Sequence, residues 1–200
     1  MSKKALLYTG FFVALAIGFF LAIRKYIVMK DTISVVQSFS FVNQDGEVFT
    51  NKDVEGKVYV AEYFFTTCPG ICPTMNTNMR KVYDRFKDDK DFLILSHTCD
   101  PERDSVQQLK YYADSLGVDT DKWVFLTGRK DSLYTAARVS YTIDDPANNI
   151  RNIEDDFLHT QFWALVNAKG EVKRIYDGLK PSEISNMMRE IEGMLKALKE

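Results

Sequence analysis

The sequence predicts an α/β domain with helices on both faces of its sheet, preceded by one apolar helix long enough to reach across a membrane. Three observations carry that expectation. From residue 39 onward, short β-rich runs alternate with amphipathic helical periodicities, the pattern of a layered α/β domain. A cysteine pair, Cys68 and Cys72, sits where one buried strand gives way to a helix. And "ALLYTGFFVALAIGFFLAI", Ala5 to Ile23, carries no charge at all.

The apolar run comes first. At 1.5 Å per residue it comes close to the roughly 30 Å of a hydrocarbon core. Lys3 and Lys4 precede it and Arg24 and Lys25 follow. No small-x-small cleavage site follows the run, so an uncleaved anchor over residues 1–30 is expected in place of a signal peptide. Both flanks are basic, which gives the positive-inside rule little contrast. The short N-terminal tail favours N-inside, placing the rest of the chain on the periplasmic or extracytoplasmic side of the inner (plasma) membrane as a single-pass protein. Residues 31–38 read as a linker and 39–200 as the exported domain.

Within that domain "FSFVNQDGEVFT" places two apolar segments around Asp45-Gly46, a hairpin signal. "GKVYVAEYFF" (Gly56–Phe65) is apolar on both faces and reads as a central strand. Met75, Met79, Val82 and Phe86 recur at helical spacing with Pro73 in the first turn. "FLILS" (Phe92–Ser96) is a second buried strand. Val106, Leu109, Ala113 and Leu116 mark a helix for which Asp104 and Gln107 offer a capping box. "WVFL" (Trp123–Leu126), a short helix over 131–139, a hairpin around Ala168-Lys169-Gly170 and a closing helix from Pro181 complete the order. Hydrophobic residues make up 46% of the 200 and aromatics 13%, enough for a substantial core. Five basic and no acidic residues fall in 1–30, leaving 21 basic against 28 acidic in the remainder, a balance of −7. A domain that acidic offers no basic face for phosphate, so nucleic acid is not an expected partner.

The chemistry centres on "FFTTCPGICPTMN". If Cys72 opens the helix, both thiols lie near a helix N-terminus, where partial positive charge favours thiolate. Their spacing puts the Cα atoms about 6 Å apart if helical, near the upper limit for a disulfide. Three readings stay open: a structural disulfide, which would close too small a loop to stabilise much; a thiol-disulfide oxidoreductase with catalytic Cys68 and Cys72, although such enzymes usually have two intervening residues; and a soft metal site needing at least one further donor. The only histidines are His97 and His159, and spacing does not choose between them. Met75 and Met79 are soft donors whose helical spacing assigns them to the core. Cys99, in "SHTCDPERDS", is left over if Cys68 and Cys72 pair.

A cysteine pair at such a strand–helix junction is where thioredoxin-like folds place their chemistry. "GKVYVAEYFFTTCPGICPTM", "DPERD" (Asp100–Asp104), "WVFLTG" (Trp123–Gly128) and the histidine of "DFLHTQFWALVNAKGEV" together resemble the Sco/SenC copper chaperones, in that family's order and over roughly Phe39 to Gly178. The resemblance implies a thioredoxin-like fold, with Cys68, Cys72 and His159 as copper ligands and Cys68–Cys72 as a redox disulfide. It implies Cu(I), and with an added ligand Cu(II), passed to the dinuclear copper site of cytochrome c oxidase subunit II. Some members look like thiol reductants for that subunit's cysteines, and other copper carriers or thiol reductants are further expected partners. Where this sequence departs from the family, His97 and Cys99 stand just before the DP pair, and they are candidate accessory ligands if their side chains turn toward Cys68 and Cys72. The segment "NNIRNIEDDFLHT" before His159 is acidic and reads as a loop.

Overall fold

The computed structural model describes residues 3–30, 32–145, 153, 156–158 and 160–200, with backbone alone at 3, 6, 7 and 24–30. Two units separate by contacts, Met1–Ile33 and Ser34–Glu200. The first is a single helix, α1 (Lys3–Lys30). Its described side chains are exposed, among them Phe11, Phe12, Phe19 and Phe20. Among the described residues no helix is long and apolar enough to cross a membrane.

The second unit is built on one eight-stranded sheet: β1 (Ser34–Val35), β2 (Ser40–Asn43), β3 (Val48–Thr50), β4 (Val58–Phe64), β5 (Phe92–Thr98), β6 (Trp123–Thr127), β7 (Phe162–Val166) and β8 (Glu171–Asp177), in the order β1-β8-β7-β4-β5-β6-β2-β3. β4, β5 and β6 are parallel, with Glu62 opposite Ser96 and Phe64 opposite Thr98, and the remaining pairings are antiparallel. Between them run α2 (Cys72–Phe86), α3 (Val106–Leu116) and α4 (Lys130–Thr135), which continues into a π-helical turn at Ala136–Ser140; α5 (Pro181–Ala197) closes the chain. Both expected hairpins form, with Gly46 (φ 83°) and Gly170 (φ 74°) supplying the left-handed residue each turn requires.

Side-chain alternation along the strands divides the core into two layers. On one face Val58, Val60, Phe64, Ile94, Trp123, Phe125 and Leu165 meet α2, α3 and α5 through Met75, Met79, Leu109 and Ile191. On the other Tyr59, Ala61, Tyr63, Leu95, Leu126 and Val166 meet α4, the π turn and the hairpin residue Phe41. Helices therefore cover both faces, as the sequence predicts.

Two details differ from expectation. Part of the anticipated linker belongs to the sheet, since Ser34 and Val35 pair with Val172 and Glu171 of β8. A two-residue edge strand is too short to leave a periodic signal. The capping box at α3 is also not formed: Ser105 is the N-cap, its hydroxyl accepting from Gln108 N, because the Asp104 carboxylate is engaged elsewhere.

Met79 is fully buried beneath the sheet in α2. Met79→Ala should cost about 2–5 kcal/mol through lost burial and a residual cavity, read as a lower urea midpoint at unchanged m-value.

Candidate functional site

The parallel pairing of β4 with β5 ends the central strand at Phe64, and residues 65–71 form the turn into α2. Cys68 N donates to Phe65 O at 3.2 Å, which closes this turn. α2 starts at Cys72 with Pro73 in its first turn, but its N-cap, Ile71, has no side chain to receive the first N–H groups. The sulfur of Cys68 fills that role. Partial burial works to raise its pKa, but a hydrogen bond from the Cys72 S–H and the N–H groups of Cys72, Gly70 and Ile71 outweigh it, so the thiol lies below its ordinary value.

Cys72 behaves in the opposite way. It is only 6% exposed. Burial, the proton it shares with Cys68, and the negative fields of Cys68 and Glu62 push it up to about 12. The sequence expectation that both thiols favour thiolate therefore holds for Cys68 alone, because a helix terminus offsets burial only for the sulfur its N–H groups surround. The pair borders a cavity of about 460 Å³, lined also by Asn76, Arg80, Tyr112 and Trp123.

The turn is held from outside the motif. Asp104, the last residue of "DPERD", is 1% exposed. Its carboxylate accepts from Thr66 N at 3.2 Å, from Thr66 Oγ1 at 2.5 Å and from Thr98 Oγ1 at 2.5 Å. It thus ties the residue two before Cys68 to the end of β5.

Behind Cys72, on the same face of the sheet, lies Glu62 of β4, also 1% exposed. Ser96 Oγ donates to its Oε1 at 2.6 Å, and Trp123 Nε1 donates to Ser96 Oγ at 2.7 Å. Trp163 acts on the same carboxyl but falls short of a proper hydrogen bond, so Trp163 Nε1 and Glu62 Oε2 have no partner among the described residues. Burial pushes Glu62 up to about 7 against these interactions. Sequence reading had passed over this residue, although a lone carboxylate in the apolar run "VYVAEYFF" is a visible signal.

His97 does not join the cysteine pair. Alternation along β5 sends Ser96 and Thr98 to the α2 face and His97 to the other. His97 is fully buried there, stacked on Tyr63 with ring centroids 4.9 Å apart and edge-on to Phe41 and Tyr141. Burial pulls it down to about 4, so it is a neutral core residue. Cys99, just past the end of β5, packs in the same layer, and burial together with the negative fields of Cys72, Asp104 and Cys68 pushes its thiol well above the ordinary value. The expectation of His97 as an accessory ligand is corrected accordingly. Among the described residues no group of three His, Cys, Asp or Glu side chains forms a metal cluster. His159 lies outside the described residues, but its neighbours are anchored. Phe157 packs edge-on against Phe65 at 5.3 Å, Leu158 N donates to Tyr134 Oη at 3.1 Å, and Thr160 Oγ1 donates to Ile143 O at 2.7 Å.

Two outcomes follow from these charge states. Iodoacetamide should modify Cys68 before Cys72, with a rate midpoint on the acid side of an ordinary thiol, and mass mapping of the alkylated peptides checks the order. Glu62 holds its proton in the fold up to about pH 7 but only to about 4.5 when unfolded. Its contribution is therefore present below pH 4.5 and lost as pH rises to about 7, on the order of 3 kcal/mol. Glu62→Gln should flatten the wild-type decline in stability across that window in denaturant titrations.

The SCO1/SenC family model matches residues 28–196. The SCO1 protein homolog of Bacillus subtilis (strain 168) is 29% identical over 169 residues, covering 82% of this chain and 85% of that protein. The structure of BsSco, described as having a disulfide switch and as a member of the Sco family of cytochrome c oxidase assembly proteins, aligns with TM-score 0.69 at 28% identity, over 82% of this chain and 96% of that one. Arabidopsis thaliana ScoI with copper bound aligns with TM-score 0.62 at 25% identity, over 83% and 99%. The thioredoxin-like α/β architecture expected from the sequence is the one this domain shares with them. With the family model covering almost all of the domain that carries the cysteine turn, the chain belongs to the SCO1/SenC family.

Proposed function

We propose that this protein is a membrane-anchored copper chaperone that delivers copper to the dinuclear site of cytochrome c oxidase subunit II. Cys68, Cys72 and His159 hold the metal. The observation that carries the reading is the contact between Phe157 and Phe65. It sets Phe157, two residues before His159 in the chain, against the turn that carries Cys68, which supports His159 as the third donor. The donor set suits the cargo. Two thiolates and an imidazole are soft to borderline ligands that select Cu(I) and, with one more ligand, hold Cu(II). Cys68 meets the ion already inclined to thiolate. Cys72 must release its proton on binding, so affinity rises with pH. The copper-bound Arabidopsis relative supports the same cargo here.

Anchoring through α1 is part of this reading. The uncharged run Ala5–Ile23 lies within a 28-residue helix, about 42 Å long, whose described side chains expose apolar surface. The copper domain then sits on the extracytoplasmic face of the inner (plasma) membrane.

The opposed pKa shifts of the two cysteines favour a second reading, a thiol-disulfide reductase. The Cys68 thiolate would attack a partner disulfide and release one partner thiol. Cys72, once deprotonated, would then break the mixed disulfide and release the second. The Cys68–Cys72 pair ends oxidised, and an external dithiol restores it. Loading the reduced full-length protein in detergent with Cu(I) separates the two. Wild type should bind one copper tightly, and His159→Ala should lose at least tenfold in affinity in a chelator competition. Weak binding by wild type, together with rapid reduction of a disulfide peptide, would sink the copper reading.

A further inference from the structure

The cavity beside the cysteine pair extends well past the two sulfurs, along the seam between α2 and α3. Its volume of about 460 Å³ falls in the range of pockets that enclose a ligand. Three contacts step along both helices together and define the seam. Gln108 Nε2 donates to Thr66 Oγ1 at 3.4 Å, Asn76 Nδ2 donates to Tyr112 Oη, and Arg80 Nη1 donates to the carbonyl of Leu116, the last residue of α3, at 2.7 Å. Part-exposed Cys68 stands at the first end, and the bond between Arg80 and Leu116 closes the other. From Cys72 to Arg80 the helix rises about 12 Å, the reach of about four residues of extended chain.

The lining tells what fits. Trp123 and Leu116 give it an apolar surface. Tyr112 is held in place by stacking on Phe64, with ring centroids 5.2 Å apart. The cationic group, Arg80, is already bound to Asp84 at 3.1 Å and to Leu116 O, so the cleft is not built for a free anion. Midway along it, the Tyr112 hydroxyl hydrogen and Asn76 Oδ1 have no partner among the described residues. One donor beside one acceptor matches the C=O and N–H of a single passing peptide unit. With the Asn76 amide turned over, the pair still offers one of each.

We propose that this cleft is where a partner protein lays the extended segment that carries its own cysteine. The partner sulfur sits over Cys68, a peptide unit bonds to Asn76 and Tyr112, and an apolar side chain three or four residues from the cysteine packs on Leu116 and Trp123. The inference rests on the reading that Cys68 and Cys72 serve a partner's cysteines, with copper or with electrons, and adds how that partner is recognised.

The test uses full-length reduced protein in detergent and two synthetic peptides. Each has one central cysteine capped as a disulfide with thionitrobenzoate. One carries leucine at the third and fourth positions to each side, the other serine in the same places. The Cys68 thiolate attacks the peptide sulfur, a new S–S bond forms, and thionitrobenzoate leaves with the electron pair of the broken bond. Its absorbance gives the rate. The thionitrobenzoate disulfide of mercaptoethanol reports the reactivity of Cys68 without a peptide.

The leucine peptide should react about tenfold faster than the serine peptide, the effect of burying part of a leucine side chain. Thr77→Trp, an exposed α2 position lining the cleft, should abolish that preference. Tyr112→Phe and Asn76→Ala should each slow both peptides about threefold. All three variants should react with the mercaptoethanol disulfide at the wild-type rate. Equal rates for the two peptides on wild type would overturn the proposal. So would a preference that Thr77→Trp leaves intact, or polar variants at the wild-type peptide rate, which would make the cleft an apolar pocket that does not read a peptide. A preference that appears only on dilution would show a second copy of this chain in the cleft and overturn the partner segment as its occupant. The preference is a ratio of rates at one thiol, so weak copper binding would count against the copper reading and leave this inference standing.

Discussion

The Asp104 carboxylate is the interaction on which the arrangement of this site depends. It is buried and accepts three hydrogen bonds, two from Thr66 and one from Thr98. Thr66 opens the cysteine turn, Thr98 ends β5, and Asp104 itself leads into α3 through the cap residue Ser105. One side chain thus joins three segments that the backbone hydrogen bonds of the sheet do not join. A turn of this kind has few backbone bonds of its own, and without that tie the cysteine spacing would be free to vary with the loop. A carboxylate suits the position because it only accepts, which commits both threonine hydroxyls to donate to it while their lone pairs accept from Asp100 N and Gln108 Nε2.

Strand parity explains which polar residues reach the site. β4 and β5 run parallel in register, so Glu62 faces Ser96 and both point to the α2 side. One position along, Tyr63 faces His97 and both point away. A shift of a single residue would exchange the two sets. His97 is therefore enclosed among aromatic rings, although it stands only two residues before Cys99 and close in sequence to the DPERD segment.

Much of this was readable in advance. The order of elements, both hairpins and the core role of Met75 and Met79 followed from periodicity and turn chemistry, which are local properties. The position of the cysteine pair at a strand end followed from the same reading. What escaped was set by tertiary context. Asp104 has the residue type and position of a helix cap, and only the fold shows that Thr66 and Thr98 capture it first. The exclusion of His97 is contained in the sequence, since alternation from Ile94 along β5 assigns it to the far face. The difference between the two thiols could not be read at all, because it arises from 6% exposure at Cys72 and three N–H groups gathered at Cys68.

The two thiols are better understood as one coupled unit in which negative charge falls on Cys68 before Cys72. Cys68 takes the charge because the open N-terminus of α2 solvates it, and that charge in turn helps keep the Cys72 proton in place. Glu62 adds to the same effect, since any ionisation behind Cys72 opposes a second anion in front of it. A site prepared in this way does not hold two buried, unpaired anions while empty, which would cost several kcal/mol in a low-dielectric interior. It pairs charge only when a cation arrives and displaces the Cys72 proton. The same preparation serves disulfide exchange, where Cys68 attacks first and Cys72 ionises afterwards. The cysteine pair alone therefore does not distinguish metal transfer from electron transfer. Two thiolates serve either chemistry, so the distinction rests on whether a further donor joins them.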